Sequence, residues 1–335
     1  MPEFDFQKLF SQPVVPEYVA TVMNEYMDVT LERLKISEGH SSPENPVVIS
    51  VVRNENERLP DFFRHYRQAG IEKFVFLDNG SSDGTTEFLA EQADTDVYRC
   101  TRPFDWMKKH GWINLLISMY GRERWYIYVD GDEHLVFDGI DEGKTFADVA
   151  KVMQDRGLRR VRGCLIDMYS DGPLLKSSYN RGERLLEAYP YFDGEGYKEE
   201  KYKEIISRKG GPRQRAFGQA DKNFRPEMTK YPMFRLSGHD VFANPHHIWP
   251  YEGNFVSECY FGILHFKFLP DVQKRIEDAI ENENYWGGSL EYKCYQKTLR
   301  ENNSTTLLSP ISQRYKHVSD LVELVHISKI PKRSV

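Results

Sequence analysis

The stretch WYIYVDGDEHLVF, residues 125–137, places two carboxylates two positions apart directly after an apolar run. Side chains at i and i+2 of an extended segment point the same way, so Asp130 and Asp132 can address one point in space. Gly131 between them lets a ligand approach the backbone closely. Carboxylate oxygens suit Mg²⁺ or Mn²⁺, ions that bridge a protein to substrate phosphates. An ordinary acidic turn would show the same letters. Its position after a hydrophobic strand separates this one, because open α/β sheets bind ligands outside the carboxyl ends of their strands. Glu133 follows, placed either to support a metal through its water shell or to face solvent.

The segment KFVFLDNGSSDGT repeats the pattern, with Asp78 at the end of an apolar run beside a Gly/Ser turn. A carboxylate there can accept hydrogen bonds from a ribose or a base, while Ser82 or Asp83 caps the following helix. Late in the chain, residues 239–265 gather His239, His246, His247, Cys259 and His265. HExxH and CxxC spacings are absent, which disfavours zinc. Neither GxGxxG nor GxxxxGK[ST] occurs, which disfavours a Rossmann dinucleotide site and a P-loop.

The elements that position these residues follow from periodicity. Residues 16–38 carry apolar side chains at helical spacing and read as an N-terminal helix, followed by a Ser/Pro/Gly/Asn linker at 39–46. Val47–Val52 is a β-branched run suited to a strand buried on both faces. A helix at 58–69 stops at Gly70, a strand covers 73–77, and a helix follows the polar turn after Asp78. A helix at 112–123 precedes the strand at 125–129 that ends in Asp130. A helix at 144–156 and a strand at 159–166 continue the alternation. That rhythm predicts an α/β chain with a doubly wound, mostly parallel sheet. Residues 170–230 are irregular and read as binding loops. Helices are expected at 271–283 and 290–300.

Composition narrows the function classes. The 335 residues carry 51 acidic and 45 basic side chains, a net charge of −6, which argues against a nucleic-acid binder. The 13% aromatic content excludes a mainly disordered chain. Four cysteines without a CxxC pair suit reduced thiols in the cytoplasm. The start MPEFDFQKLF is acidic and mixed rather than a secretory signal, and no apolar run approaches the roughly 20 residues of a membrane span. Lys329, Lys332 and Arg333 leave room for peripheral contact with the inner face of a membrane, although three charges equally suit a solvated tail.

VVISVVRNENERLPDFFRHYRQAGIEKFVFLDNGSSDGTTEFL followed by YVDGDEHL resembles the core of family 2-type glycosyltransferases with the GT-A fold, specifically a bacterial branch with a DxDE motif. The resemblance covers about residues 46–137, and DMYSDGP, GGPRQR and LHFKF fit the same branch. It implies a GT-A-like sheet at 46–270, a nucleotide-binding half (46–137) joined to an acceptor half (138–270). Residues 1–45 form an N-terminal helical addition and 271–335 a C-terminal helical one.

The implied reaction moves a sugar from a nucleotide diphosphate sugar to a glycan or glycolipid acceptor, in bacterial surface polysaccharide assembly, with Mn²⁺ or Mg²⁺. By matching position, Arg53, Asn54 and Glu55 would line the nucleotide pocket, Asp78 would contact the base or ribose, and Asp130 and Asp132 would hold the metal. Asn79 departs from the second Asp of many members. A late histidine completes the metal shell in such enzymes, which points to His265, with His247 as the alternative. The basic run RKGGPRQR would close over the diphosphate through Arg213 and Arg215, unless it is a solvated loop. Inversion at the anomeric carbon would need a base, for which Asp171 and Asp240 are candidates; a retaining reaction would not. A sugar nucleotidyltransferase and a non-catalytic nucleotide- or glycan-binding module are the competing readings.

Overall fold

In the computed structural model, residues 15–39, 42–202 and 205–332 are described. The start MPEFDFQKLF and Arg333 lie outside the described residues. Nine strands form the central sheet: β1 (Glu32–Lys35), β2 (Val47–Val52), β3 (Phe74–Asp78), β4 (Thr95–Arg99), β5 (Trp125–Tyr128), β6 (Glu133–Phe137), β7 (Arg160–Asp167), β8 (Thr229–Arg235) and β9 (Phe261–His265). Their order is β1-β4-β3-β2-β5-β8-β7-β9-β6. β2, β3, β4 and β5 pair in parallel, as do β7 and β9. β1, β8 and β6 pair antiparallel with their neighbours. Six of the nine strands therefore run one way, and their carboxyl ends share one edge.

Alternation along the strands explains the layers, since successive side chains face opposite sides of a sheet. Val48, Val52, Phe74, Phe76 and Ile127 pack against Leu59, Phe62 and Phe63 of α2 (Leu59–Gln68) and Val149 and Met153 of α5 (Phe146–Asp155). Val47, Ile49, Val75 and Tyr126 face the other way, onto Trp112, Ile113 and Leu116 of α4 (Lys109–Tyr120). α3 (Thr85–Glu91) adds Leu89 to the first layer. Helices cover both faces, so an α/β sheet is the architecture.

Two expectations change. The N-terminal helix α1 (Glu17–Asp28) ends ten residues earlier than its periodicity suggests, and the chain continues as edge strand β1. α1 lies on α4 at Gly111, where a Cβ would stand 2.7 Å from the Val22 carbonyl oxygen. The irregular region contains a charged hairpin, Tyr197–Tyr202 with Ile205–Gly210, and α6 (Gly211–Phe217). The C-terminal helices α7 (Val272–Asn282) and α8 (Trp286–Glu301) pack on α6 through Ile276, Tyr295 and Phe217. Helical geometry in α8 is interrupted at Gly287, Gly288 and Ser289, which adopt left-handed backbone, so its regular part begins at residue 290.

Candidate metal centre and cleft

A cleft of about 620 Å³ opens at the shared carboxyl edge. Arg53, Asn54 and Glu55 after β2, Asn79 after β3, Asp130 and Asp132 after β5, and His265 at the end of β9 all line it. The turn between β5 and β6 carries the acidic residues because β6 reverses there and pairs with β9, bringing Glu133 opposite His265. On its other side β9 pairs with β7, so His265 also stands opposite Asp167. The amide of Phe266 donates to the Asp132 carbonyl at 2.9 Å and locks the turn to β9.

This ladder builds a relay. Asp167, fully buried, sits 2.7 Å from His265 Nδ1 and 2.9 Å from Arg213 Nε. Burial opposes its charge, but Arg213 and the His265 hydrogen bond outweigh burial and hold the carboxyl below its usual range. An ionised carboxylate only accepts, so His265 Nδ1 carries a proton and Nε2 is the nitrogen turned toward the acidic turn. Nε2 faces Asp132 Oδ2 at 3.7 Å. A carboxylate that orients a histidine in this way is the usual support behind a metal-ligating imidazole. Asp132, Glu133 and His265 present ligand atoms within 4.8 Å of one another.

The other acidic groups are held by cations. Lys230 of β8 reaches both Glu133 Oε1 and Asp130 Oδ2, the latter at 3.3 Å, and Lys109 stands 3.6 Å from Asp130 Oδ1. Burial opposes charge on Asp130, yet Lys109 and Lys230 outweigh it and push the carboxyl far down. For Asp132, His265, Lys267 and Arg58 overcome the same cost. In Glu133 burial wins over Lys230 and the carboxyl moves up. Glu55 is raised for the same reason, despite Arg275 at 2.9 Å and Arg58 at 3.5 Å. Its carboxyl packs against Gly131, where a Cβ would come within 3.1–3.3 Å of it. Gly131 therefore makes room for Glu55, a protein group, where the sequence suggested a ligand.

Several sequence candidates fall elsewhere. Asp78 is buried and accepts from the Ser81 amide at 3.2 Å; Asn79, its neighbour, lines the cleft while its amide donates to the Cys100 and Arg102 carbonyls. Asn54 adopts a left-handed backbone, with its side chain accepting from the Ser82 amide. Arg213 and Arg215 do not form a lid. Arg213 is buried against Asp167 and Glu291, and Arg215 pairs with Asp193 at 2.8 Å, because RKGGPRQR is a strand end running into α6. Asp171 is exposed and does not line the cleft. Asp240 is buried against Arg160 at the start of β7, the opposite edge of the sheet from the cleft, and caps a turn by accepting from the Ser237 amide. His246 and His247 bind Thr229 and Asn244 around the Val241–Asn244 and His247–Trp249 hairpin rather than the acidic turn.

Cleft residues that sequence reasoning missed are Lys109, Lys267, Asp271, Arg275, Phe104, Tyr285 and Tyr292. Lys267 had a visible signal, two positions beyond His265 in LHFKF. Arg275 had none: it sits on α7, donates to the Asn54 carbonyl and pairs with Glu55 and Asp271. Asp271 in turn receives Arg58 at 2.7 Å. The phenyl and phenol rings of Phe104, Tyr285 and Tyr292 form a continuous wall, with centroids 5.2 and 4.9 Å apart. No helix among the described residues is long and apolar enough to cross a membrane. No protein-family model matches the chain, and no curated protein matches it.

Proposed function

We propose that the chain is a metal-dependent glycosyltransferase that moves a sugar from a nucleotide diphosphate sugar to a glycan or glycolipid acceptor. The observation that carries this reading is Asp132 and the Nε2 of His265 converging at the carboxyl edge of the sheet, in a cleft that also presents Lys109, Lys267 and Arg275. The residues fit a divalent cation. One carboxylate and one imidazole, held at Nδ1 by Asp167, would offer the oxygen and nitrogen donors that Mn²⁺ accepts, and Mg²⁺ suits the carboxylate. When bound, such an ion supplies a Lewis acid that offsets negative charge on a departing diphosphate.

The remaining work belongs to the chain. Lys267, Lys109 and Arg275 offer ammonium and guanidinium donors to phosphate oxygens. Arg53, Asn79 and Ser82 provide polar contacts for a nucleoside, and the wall of Phe104, Tyr285 and Tyr292 offers π faces to a flat ring or a pyranose. Because Asp171 and Asp240 stand outside the cleft, an inverting transfer would draw its base from Glu57 or Asp278, which line it. The motif resemblance over residues 46–137 points to the same reaction.

Calorimetry of the full chain with a panel of nucleotide sugars, with and without Mn²⁺, tests the proposal. Binding should require the metal and should weaken at least about tenfold in Asp132→Asn, the order expected for losing a metal ligand or its support. Binding that is indifferent to metal, or no binding across the panel, would overturn it.

A further inference from the structure

At the acidic turn and the groups packed on it, most carboxylates are paired with a lysine or arginine. Asp130 has Lys230 and Lys109, Glu133 has Lys230, Glu55 and Asp271 share Arg58 and Arg275, and Asp167 has Arg213. Asp132 has the imidazole of His265 at 3.7 Å and, among the described residues, no lysine or arginine in direct ion-pair contact. Within the acidic turn, Asp132 is the carboxylate left without a lysine or arginine in ion-pair contact, whereas Asp130 and Glu133 both hold Lys230.

Two-ion centres hold their cations about 3.5–4 Å apart, joined by shared carboxylates, and use the pair to clamp both oxygens of an in-line displacement at phosphorus. Glu133 is the group that would join such a pair here, since it lies within ligand distance of Asp132 and His265. Its Oε1 instead holds the Lys230 ammonium, which also contacts Asp130. Lys230 sits on β8, wedged antiparallel between β5 and β7, with its side chain 8% exposed. Expelling it for a second metal would strand a buried ammonium, which is strongly unfavourable.

We propose that Lys230 is a positioning residue that stands in for a second cation and restricts the centre to a single divalent ion at Asp132 and His265. The inference rests on the metal-dependent reading above and sharpens it. A mononuclear site suits stabilisation of one diphosphate leaving group.

Mn²⁺ alone, titrated into the full chain and followed by equilibrium stoichiometry and electron paramagnetic resonance, is the test. The wild type should bind one ion with a resolved six-line spectrum. Lys230→Met should bind two, with the broadened spectrum of a coupled pair, and Lys230→Arg, which keeps the charge, should bind one. Two ions in the wild type, or one in a folded Lys230→Met, would overturn the assignment. If Lys230→Met does not fold, the wild-type and Lys230→Arg stoichiometries decide the question: one ion in both supports it, and two in either refutes it. No ion at the wild-type site would instead remove the metal-dependent reading on which it stands.

Discussion

Replacing Asp167 by asparagine separates the two tasks of that carboxylate. In the wild type it receives a hydrogen bond from His265 Nδ1 at 2.7 Å and an ion pair from Arg213 Nε at 2.9 Å, and it has no exposure. The asparagine oxygen can still accept from Nδ1, but the negative charge is gone. Arg213, itself buried, keeps Glu291 at 3.0 Å as its remaining carboxylate partner. Removing one partner of a buried ion pair costs about 3–5 kcal/mol, and Glu291 should hold the loss toward the lower end. Metal affinity should fall separately, by about 10–100-fold, as when a carboxylate behind a ligating histidine is lost; that is about 1.4–2.8 kcal/mol at 1.4 kcal/mol per tenfold. Adding Arg213→Met to Asp167→Asn removes the stranded cation, so stability should largely return while metal affinity stays low. Thermal or denaturant unfolding reports the first quantity and Mn²⁺ titration the second. A double variant that regains both, or an Asp167→Asn chain with metal affinity within about twofold of wild type, would refute the idea that Asp167 orients His265.

Other outcomes follow from the same geometry. His326 is buried beside Arg208, and burial, followed by Arg208, lowers its imidazole from about 6.5 to about 4. The unfolded chain therefore binds the extra proton first, so the contribution is complete above pH 6.5 and is lost as pH falls through 4, by about 2 kcal/mol at pH 5. Urea unfolding from pH 7.5 to 4.5 should show a flatter profile in His326→Gln; an unchanged slope would contradict a neutral buried imidazole. Gly111→Ala forces a methyl to within 2.8 Å of Val22, Glu25 and Tyr26 atoms of α1 and should cost about 1–3 kcal/mol in a melt, whereas no loss would mean that α1 does not dock there. Asp171→Ala should change stability by less than about 0.5 kcal/mol. Asp240→Asn, which strands buried Arg160, should cost about 3–5 kcal/mol. Neither should alter turnover per folded molecule, and a selective loss of turnover in either would restore it as a candidate base.

Much of the sheet and the acidic turn was legible in the chain. Strand β2 at Val47–Val52 and the placement of Asp130 and Asp132 beyond β5 follow from local rules: apolar β-branched runs, side-chain alternation and turn residues act over fewer than ten positions. The same rules stopped short wherever two periods competed. Residues 29–38 continue a helical spacing yet form edge strand β1, because pairing Arg33 with Tyr98 of β4 supplies hydrogen bonds that spacing does not reveal.

The basic run at 208–215 shows the larger limit. Its residue types suit phosphate, but whether an arginine is free depends on partners 22 to 78 positions away: Asp193 for Arg215, Asp167 and Glu291 for Arg213. The C-terminal helices, read from sequence as an extension, form a wall of the cleft through Asp271, Arg275 and Tyr285.

By itself the sequence determined an α/β chain with carboxylates at the ends of successive strands, since local periodicity and strand polarity suffice for that. The tertiary structure decided which carboxylate of the acidic turn has no lysine or arginine in contact, which imidazole nitrogen faces it, and that Lys230 sits beside Glu133. Those depend on strands that meet only after folding: β9 places His265 opposite Asp167, 98 residues earlier in the chain, and β8 brings Lys230 to Glu133 across 97.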